Sequence, residues 1–376
     1  MNMKLIYILA MLFPFMANSA NKDEIRQFDA QVDSIFSAVY FDANQPGAAV
    51  LIMKDWKIVS NHCYGIADIE TQIPVTNNTN FCIASVSKQF AAVAILQLAQ
   101  QGKLSLNDPI SKFFPEFKAP FFNTITLHHI LSHTSGIPDA RLRNDRNFVL
   151  YSTDVESVGY MKTLNHLNFT PGTQYEYINP TYQLIYQIVE RVSGSPFEQY
   201  MKKNVFSRAG MKHTIYFEPD RDIKHLAHGY AWDEDNHKYA EYDYGEESFF
   251  ATKADGALYS SINDFVKWEK ALAKLKVWNV ASRQMAYSRK VTIPSDAEYG
   301  YQPYTGYGYG FFIQAMPGRC PVVYHTGDNG GFTIYAGKVP LHNVVFLFFS
   351  TRNDIDRMQL VNAVYEKMEP LGWLRP

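Results

Sequence analysis

The chain of 376 residues has three cysteines, no long run of lysine or arginine, and no long uncharged apolar stretch beyond its first twenty positions. Each scarcity excludes something. A nucleic-acid binder normally carries a basic stripe, and a formal net charge of -2 with no such stripe excludes that class of partner. Cys63, Cys82 and Cys320 are odd in number and match no metal framework, so they are expected to be buried thiols with one optional bridge. Cys82 stands three residues before Ser85, yet nothing around it resembles a Cys–His nucleophile site. His129 and His133 lie one helical turn apart, but the Glu of His-Glu-x-x-His is missing between them. The run Gly306-Tyr307-Gly308-Tyr309-Gly310 lacks the Lys-Ser/Thr ending of a phosphate loop. Neither a metal nor a cofactor is expected.

What is present begins with an export pattern. Lys4 is followed by an apolar run from Leu5 to Met16 and by the small residues Ala17-Asn18-Ser19-Ala20. A run of about a dozen residues is short for a bilayer span, which takes roughly 20. Residues 1–20 therefore read as a cleaved signal peptide, and the mature protein is expected in the periplasm or medium without a stable membrane anchor. Apolar residues make up 47% of the chain, enough for one large domain or two joined lobes.

Periodicity sketches the fold. Ile25, Phe28, Val32, Ile35 and Val39 recur at spacings of three and four, which predicts a helix over 22–40. Strands are predicted at 47–54 and 57–64, around a tight turn at Asp55-Trp56. A helix should run from Ser85 to Gln101 and stop at Gly102, and another from Tyr182 to Val192. Strands at 322–326, 332–339 and 344–350 and a helix at 354–369 close the chain. The expected class is α/β (α+β): an antiparallel sheet flanked by helices, formed from residues 21–90 and 300–376, with a mostly helical lobe inserted at 91–299. The seam between the lobes is the natural place for a cleft.

The chemistry concentrates in three short segments. Ser85-Val86-Ser87-Lys88 opens a helix, where residues three apart share a side, so Lys88 can reach Ser85. A serine hydroxyl needs a base to become a useful nucleophile, and burial would lower the proton affinity of Lys88 enough to serve. Alone, Ser-x-x-Lys is common by chance and reads as helix capping by Ser85. The second segment is Tyr175-Glu176-Tyr177-Ile178-Asn179-Pro180, in which Tyr177 could shuttle a proton and the Asn179 amide could hold a substrate carbonyl or Lys88. The third is His325-Thr326-Gly327 at the end of a late strand. There Gly327 would leave backbone room for a substrate along the strand edge.

Ser-x-x-Lys, Tyr-x-Asn and Lys/His-Thr-Gly in this order resemble the serine β-lactamase and penicillin-binding-protein superfamily. Tyr177 in the second motif is similar to the branch of class C β-lactamases, D-Ala-D-Ala carboxypeptidases and esterases. The stretches 83–90, 104–109, 130–138 and 308–310 resemble that branch too, so the likeness spans nearly the whole mature chain. The resemblance implies a β-lactamase/transpeptidase-like fold. Carried over, it makes Ser85 the nucleophile, Lys88 its base partner and Tyr177 the second proton-transfer residue. It also makes Asn179, His325, Thr326, Gly327 and Asp328 the substrate-binding set, with the Ser85 and Asp328 N–H groups as oxyanion hole. His325 stands where class C β-lactamases carry Lys, which favours peptidase, amidase or esterase action. Ile178 replaces the usual small residue between Tyr and Asn. The implied substrate is a short peptide, β-lactam or ester, with D-Ala-D-Ala carboxypeptidase-like or β-lactamase-related action first. A broad carboxylesterase and a non-catalytic penicillin or peptidoglycan sensor are the alternatives.

Overall fold

A computed structural model describes residues 21–142, 144–218, 220–242, 252–294 and 302–376. The expected signal peptide lies outside them. Five helices and eight strands frame the site: α1 (Lys22–Ser37), β1 (Ala48–Lys54), β2 (Lys57–Tyr64), α2 (Lys88–Gln100), α3 (Asn179–Ser193), α4 (Ile262–Ala273), β3 (Val291–Thr292), β4 (Thr305–Tyr307), β5 (Phe312–Gln314), β6 (Val322–Asn329), β7 (Phe332–Val339), β8 (Val344–Ser350) and α5 (Arg357–Met368).

The strands form one antiparallel sheet in the order β3-β4-β5-β6-β7-β8-β1-β2. The two ends of the chain meet in its middle, where β1 pairs with β8 from Ala48 opposite Ser350 to Lys54 opposite Val344. At the β1–β2 turn both Asp55 and Trp56 have positive φ, +50° and +66°, the signature of a two-residue turn matched to the strand twist. One correction concerns the lobe boundary. β3 joins the sheet from within the stretch assigned to the helical lobe, because two residues are too few to show a strand period.

Alternation along each strand divides the core in two. Ala49, Leu51, Met53, Ile334, Leu347 and Phe349 face one side, where α2 and α4 pack. Val50, Ile52, Tyr335, Phe346 and Phe348 face the other, against α1 and α5. Strands covered on both faces read as continuous apolar runs, as β1 and β8 do. The sheet is therefore the middle of three layers. A buried ion pair, Lys338 of β7 with Glu269 of α4 at 2.8 Å, ties the front layer to it.

α2 is buried on nearly every side from Lys88 to Leu98, which makes it the central helix of the front layer. α3 starts three residues before the predicted helix, with Pro180 in its first turn, and ends at the left-handed cap Gly194. Asn179 is thus a helix-start residue. None of the three cysteines forms a disulfide; Cys82 and Cys320 are buried, whereas Cys63, expected buried, is exposed on the edge strand β2. Among the described residues no helix is long and apolar enough to cross a membrane.

Candidate active site

Ser85 lies in a 3-10 turn, Ala84–Ser87, that runs directly into α2. The residue before it, Ala84, has φ +46°. A side chain in that left-handed region costs about 1–3 kcal/mol and persists only where the surroundings over-determine it. Here the surroundings are β6, against which the turn packs. A Cβ on Gly327 would sit 2.4 Å from the Ile83 carbonyl, so that position admits only glycine. The chain entering the Ser85 turn thus fills the space a side chain at 327 would need.

Lys88 begins the central helix and is wholly buried. Its Nζ lies 2.8 Å from Ser85 Oγ and 3.1 Å from the Asp255 carbonyl. Burial pulls its pKa from 10.5 down to about 7; the Asp255 carboxyl pushes the other way, and Arg141 adds slightly to the fall. A neutral amine there can accept the Ser85 proton, whereas an ammonium has three donors and no acceptor. Asn179 makes no bond to Lys88, contrary to one of the two roles expected of it. Its Oδ1 is buried and has no partner among the described residues.

Behind Lys88 lies a polar group that sequence reasoning missed. Gln183 on α3 donates to Asp255 Oδ2 and to Thr252 Oγ1, both at 3.2 Å, and accepts from Ser157 Oγ at 2.8 Å. Asp154 is buried nearby, raised to about 8 by desolvation and by Asp255. These residues come from three separate segments, so no local pattern announces them.

Tyr177 stands beside Lys88, whose Nζ is 5.0 Å from the ring centroid. The ring also neighbours His133, at 4.2 Å between centroids, and His325, at 6.3 Å. The fold thus brings Tyr177, distant in sequence, to the adjacent pair Ser85 and Lys88. His129 and His133 do not converge on a common point. His129 Nδ1 accepts the Thr126 N–H at 3.1 Å, and His133 is buried among tyrosines.

His325 lies in the middle of β6, which continues to Asn329 rather than ending at Thr326. Its ring is buried and fully engaged. Nδ1 is 2.6 Å from the Thr326 carbonyl, which can only accept, so Nδ1 carries the proton. Nε2 must then accept from Tyr307 Oη, at 2.9 Å. Desolvation, reinforced by the Lys88 charge, lowers the pKa to about 3. Burial and two internal partners therefore disfavour a cationic imidazole for gripping a substrate carboxylate. Asp328 points its carboxylate at Arg357, 2.6 Å away, and Arg357 also donates to the Gly327 carbonyl at 3.3 Å. β5 pairs with β6 only as far as Tyr324, so on that side 325–329 form an open strand edge next to the Ser85 turn.

The Beta-lactamase family model matches residues 24–366. The chain belongs to that family. Penicillin-binding protein 4* of Bacillus subtilis (strain 168) is 26% identical over 326 residues, covering 83% of this chain and 70% of that protein. Protein flp of Staphylococcus aureus (strain MW2) is 34% identical over 207 residues; the match spans 53% of this chain and 41% of that protein. The octameric penicillin-binding protein homologue from Pyrococcus abyssi superposes with a TM-score of 0.76 at 26% identity, over 94% of this chain and 78% of that one. The D-amino acid amidase from Ochrobactrum anthropi SV3 shares the fold, with a TM-score of 0.75 at 20% identity over 92% and 99% of the two chains. As a Beta-lactamase family member the chain is a serine hydrolase.

Proposed function

We propose that the protein hydrolyses short amides or esters of D-amino acids through an acyl-enzyme on Ser85. One observation carries this reading: a buried Lys88 amine, titrating near neutrality, 2.8 Å from Ser85 Oγ. Ser85 Oγ bonds to the substrate carbonyl carbon as its proton passes to Lys88 Nζ. The carbonyl oxygen becomes the oxyanion and takes hydrogen bonds from the Ser85 and Asp328 N–H groups. When the carbon–nitrogen or carbon–oxygen bond to the leaving group breaks, that group recovers a proton through Tyr177 and Lys88. Water then attacks the acyl carbon and gives a proton to the same pair, which passes it to Ser85 Oγ as the acyl carbon–Oγ bond breaks.

The substrate end follows from His325. A neutral, internally bonded imidazole supplies no charge for a terminal carboxylate, which favours amide-ended or ester substrates over a free C-terminus. The fold shared with a D-amino acid amidase supports this direction. Penicillins, being cyclic amides, acylate Ser85 and leave slowly. Export is part of the reading, supported by the sequence of Lys4, the apolar run Leu5 to Met16 and the small residues Ala17-Asn18-Ser19-Ala20.

The test is labelling with a fluorescent penicillin or a fluorophosphonate, followed by peptide mapping. The adduct is expected on the peptide holding Ser85 and is lost in Ser85→Ala. An adduct on Cys82, or one that survives the substitution, overturns the assignment.

A further inference from the structure

His133 has no role in the chemistry above, yet it is held in a conformation that needs explaining. It is fully buried and has φ +56°, unusual for a residue with a side chain. Strain of this kind persists where several contacts agree on it. Three of its contacts fall on the segment around Tyr177. The His133 carbonyl accepts the Glu176 N–H at 3.0 Å, and its Nδ1 accepts the Ile178 N–H in a longer bond of 3.4 Å. Those two amides flank Tyr177 in the chain. Between them the His133 ring lies against the Tyr177 ring, with centroids 4.2 Å apart and planes inclined by 32°.

The other contacts brace the imidazole. Tyr182 lies 4.9 Å from it at 31°, and its hydroxyl is anchored on the Leu131 carbonyl at 2.7 Å. Tyr307 meets it edge-on at 4.9 Å and 68°. Because Nδ1 accepts an amide proton, the imidazole is the neutral Nε2–H tautomer. A neutral ring suits a position near the Lys88 amine, where a second positive charge would be repelled.

We infer that His133 is a positioning residue for Tyr177, fixing its backbone on both sides and its ring by close tilted contact, so that the phenol stays beside Lys88. The inference rests on the proton-transfer role proposed for Tyr177. Freed from this clamp, the Tyr177 ring samples other rotamers, and the loss falls on turnover rather than on substrate binding. Misplacement of a reacting group by about 1 Å can cost up to about 10²-fold in rate.

The experiment is a double-mutant cycle with an activated ester of a D-amino acid. His133→Ala removes ring and acceptor; His133→Phe keeps a ring but removes the acceptor, and it carries the test if the alanine variant fails to fold. In the wild-type background His133→Ala is expected to lower kcat by about 10-fold or more while KM stays within about twofold. His133→Phe should fall between the two. In a Tyr177→Phe background the same changes should cost less than about twofold, because the group being positioned is already gone. Equal losses in both backgrounds would overturn the inference and leave His133 a structural residue. If Tyr177→Phe alone leaves kcat unchanged, the Tyr177 role fails and the inference with it, an outcome distinct from the first.

Discussion

The Tyr307 hydroxyl donates to His325 Nε2 across 2.9 Å, and with that bond the third motif of the site becomes electrically neutral. A lysine in this position would carry a fixed charge. Histidine here is committed to two internal partners and held far below its usual pKa of 6.5, at about 3, chiefly by burial.

The first prediction concerns selectivity against pH. Between about pH 5 and 9 the ratio of kcat/KM for a D-peptide with a free carboxylate to that for its C-terminal amide should stay constant, because His325 does not titrate there. His325→Lys should raise that ratio in favour of the carboxylate. Steady-state kinetics on the matched pair checks this. A ratio that falls with a midpoint near ~6.5 would show that the imidazolium does bind the carboxylate.

A second prediction follows from Lys88. The group is active as the free amine, so kcat/KM should rise with pH through about 7, the value set mainly by its burial. The Asp255 carboxyl holds that pKa up, so Asp255→Asn should move the midpoint to lower pH. A profile flat across neutrality, or a midpoint that moves upward, contradicts the assignment of Lys88 as base.

Stability offers a third. Lys338 and Glu269 are both buried, and removing one partner leaves the other as an uncompensated charge. Glu269→Gln or Lys338→Met alone should cost about 3–5 kcal/mol in denaturant unfolding. The double change Glu269→Leu with Lys338→Met should recover most of that loss. Additive losses would mean that the two charges do not act as a pair.

Export gives the fourth. Expressed with its leader in a bacterial host, the protein should be recovered from periplasm or medium, beginning at Ala20 or Asn21. Intact-mass measurement of the recovered protein decides the matter. Full-length chain in the membrane fraction would mean an uncleaved anchor.

Local pattern determined much of this protein. The α1 helix, the β1–β2 hairpin with its turn at Asp55-Trp56, and the strands β6 to β8 were all legible, because each carries its own period or turn chemistry within a dozen residues. Ser85 and Lys88 were legible as a pair for the same reason, since three-residue spacing at a helix start is a local geometry. Tertiary structure decided the rest. Nothing near Asp255 or Gln183 marks them, and His133 stood out only for its spacing from His129, because what makes all three matter is burial against segments distant in the chain. His325 is the sharpest case. Its residue type promised a group that titrates near neutrality, but Tyr307, eighteen positions earlier on β4, occupies one nitrogen and the packed sheet excludes water from the ring. Charge state depends on solvation and partners, and both are properties of the assembled fold.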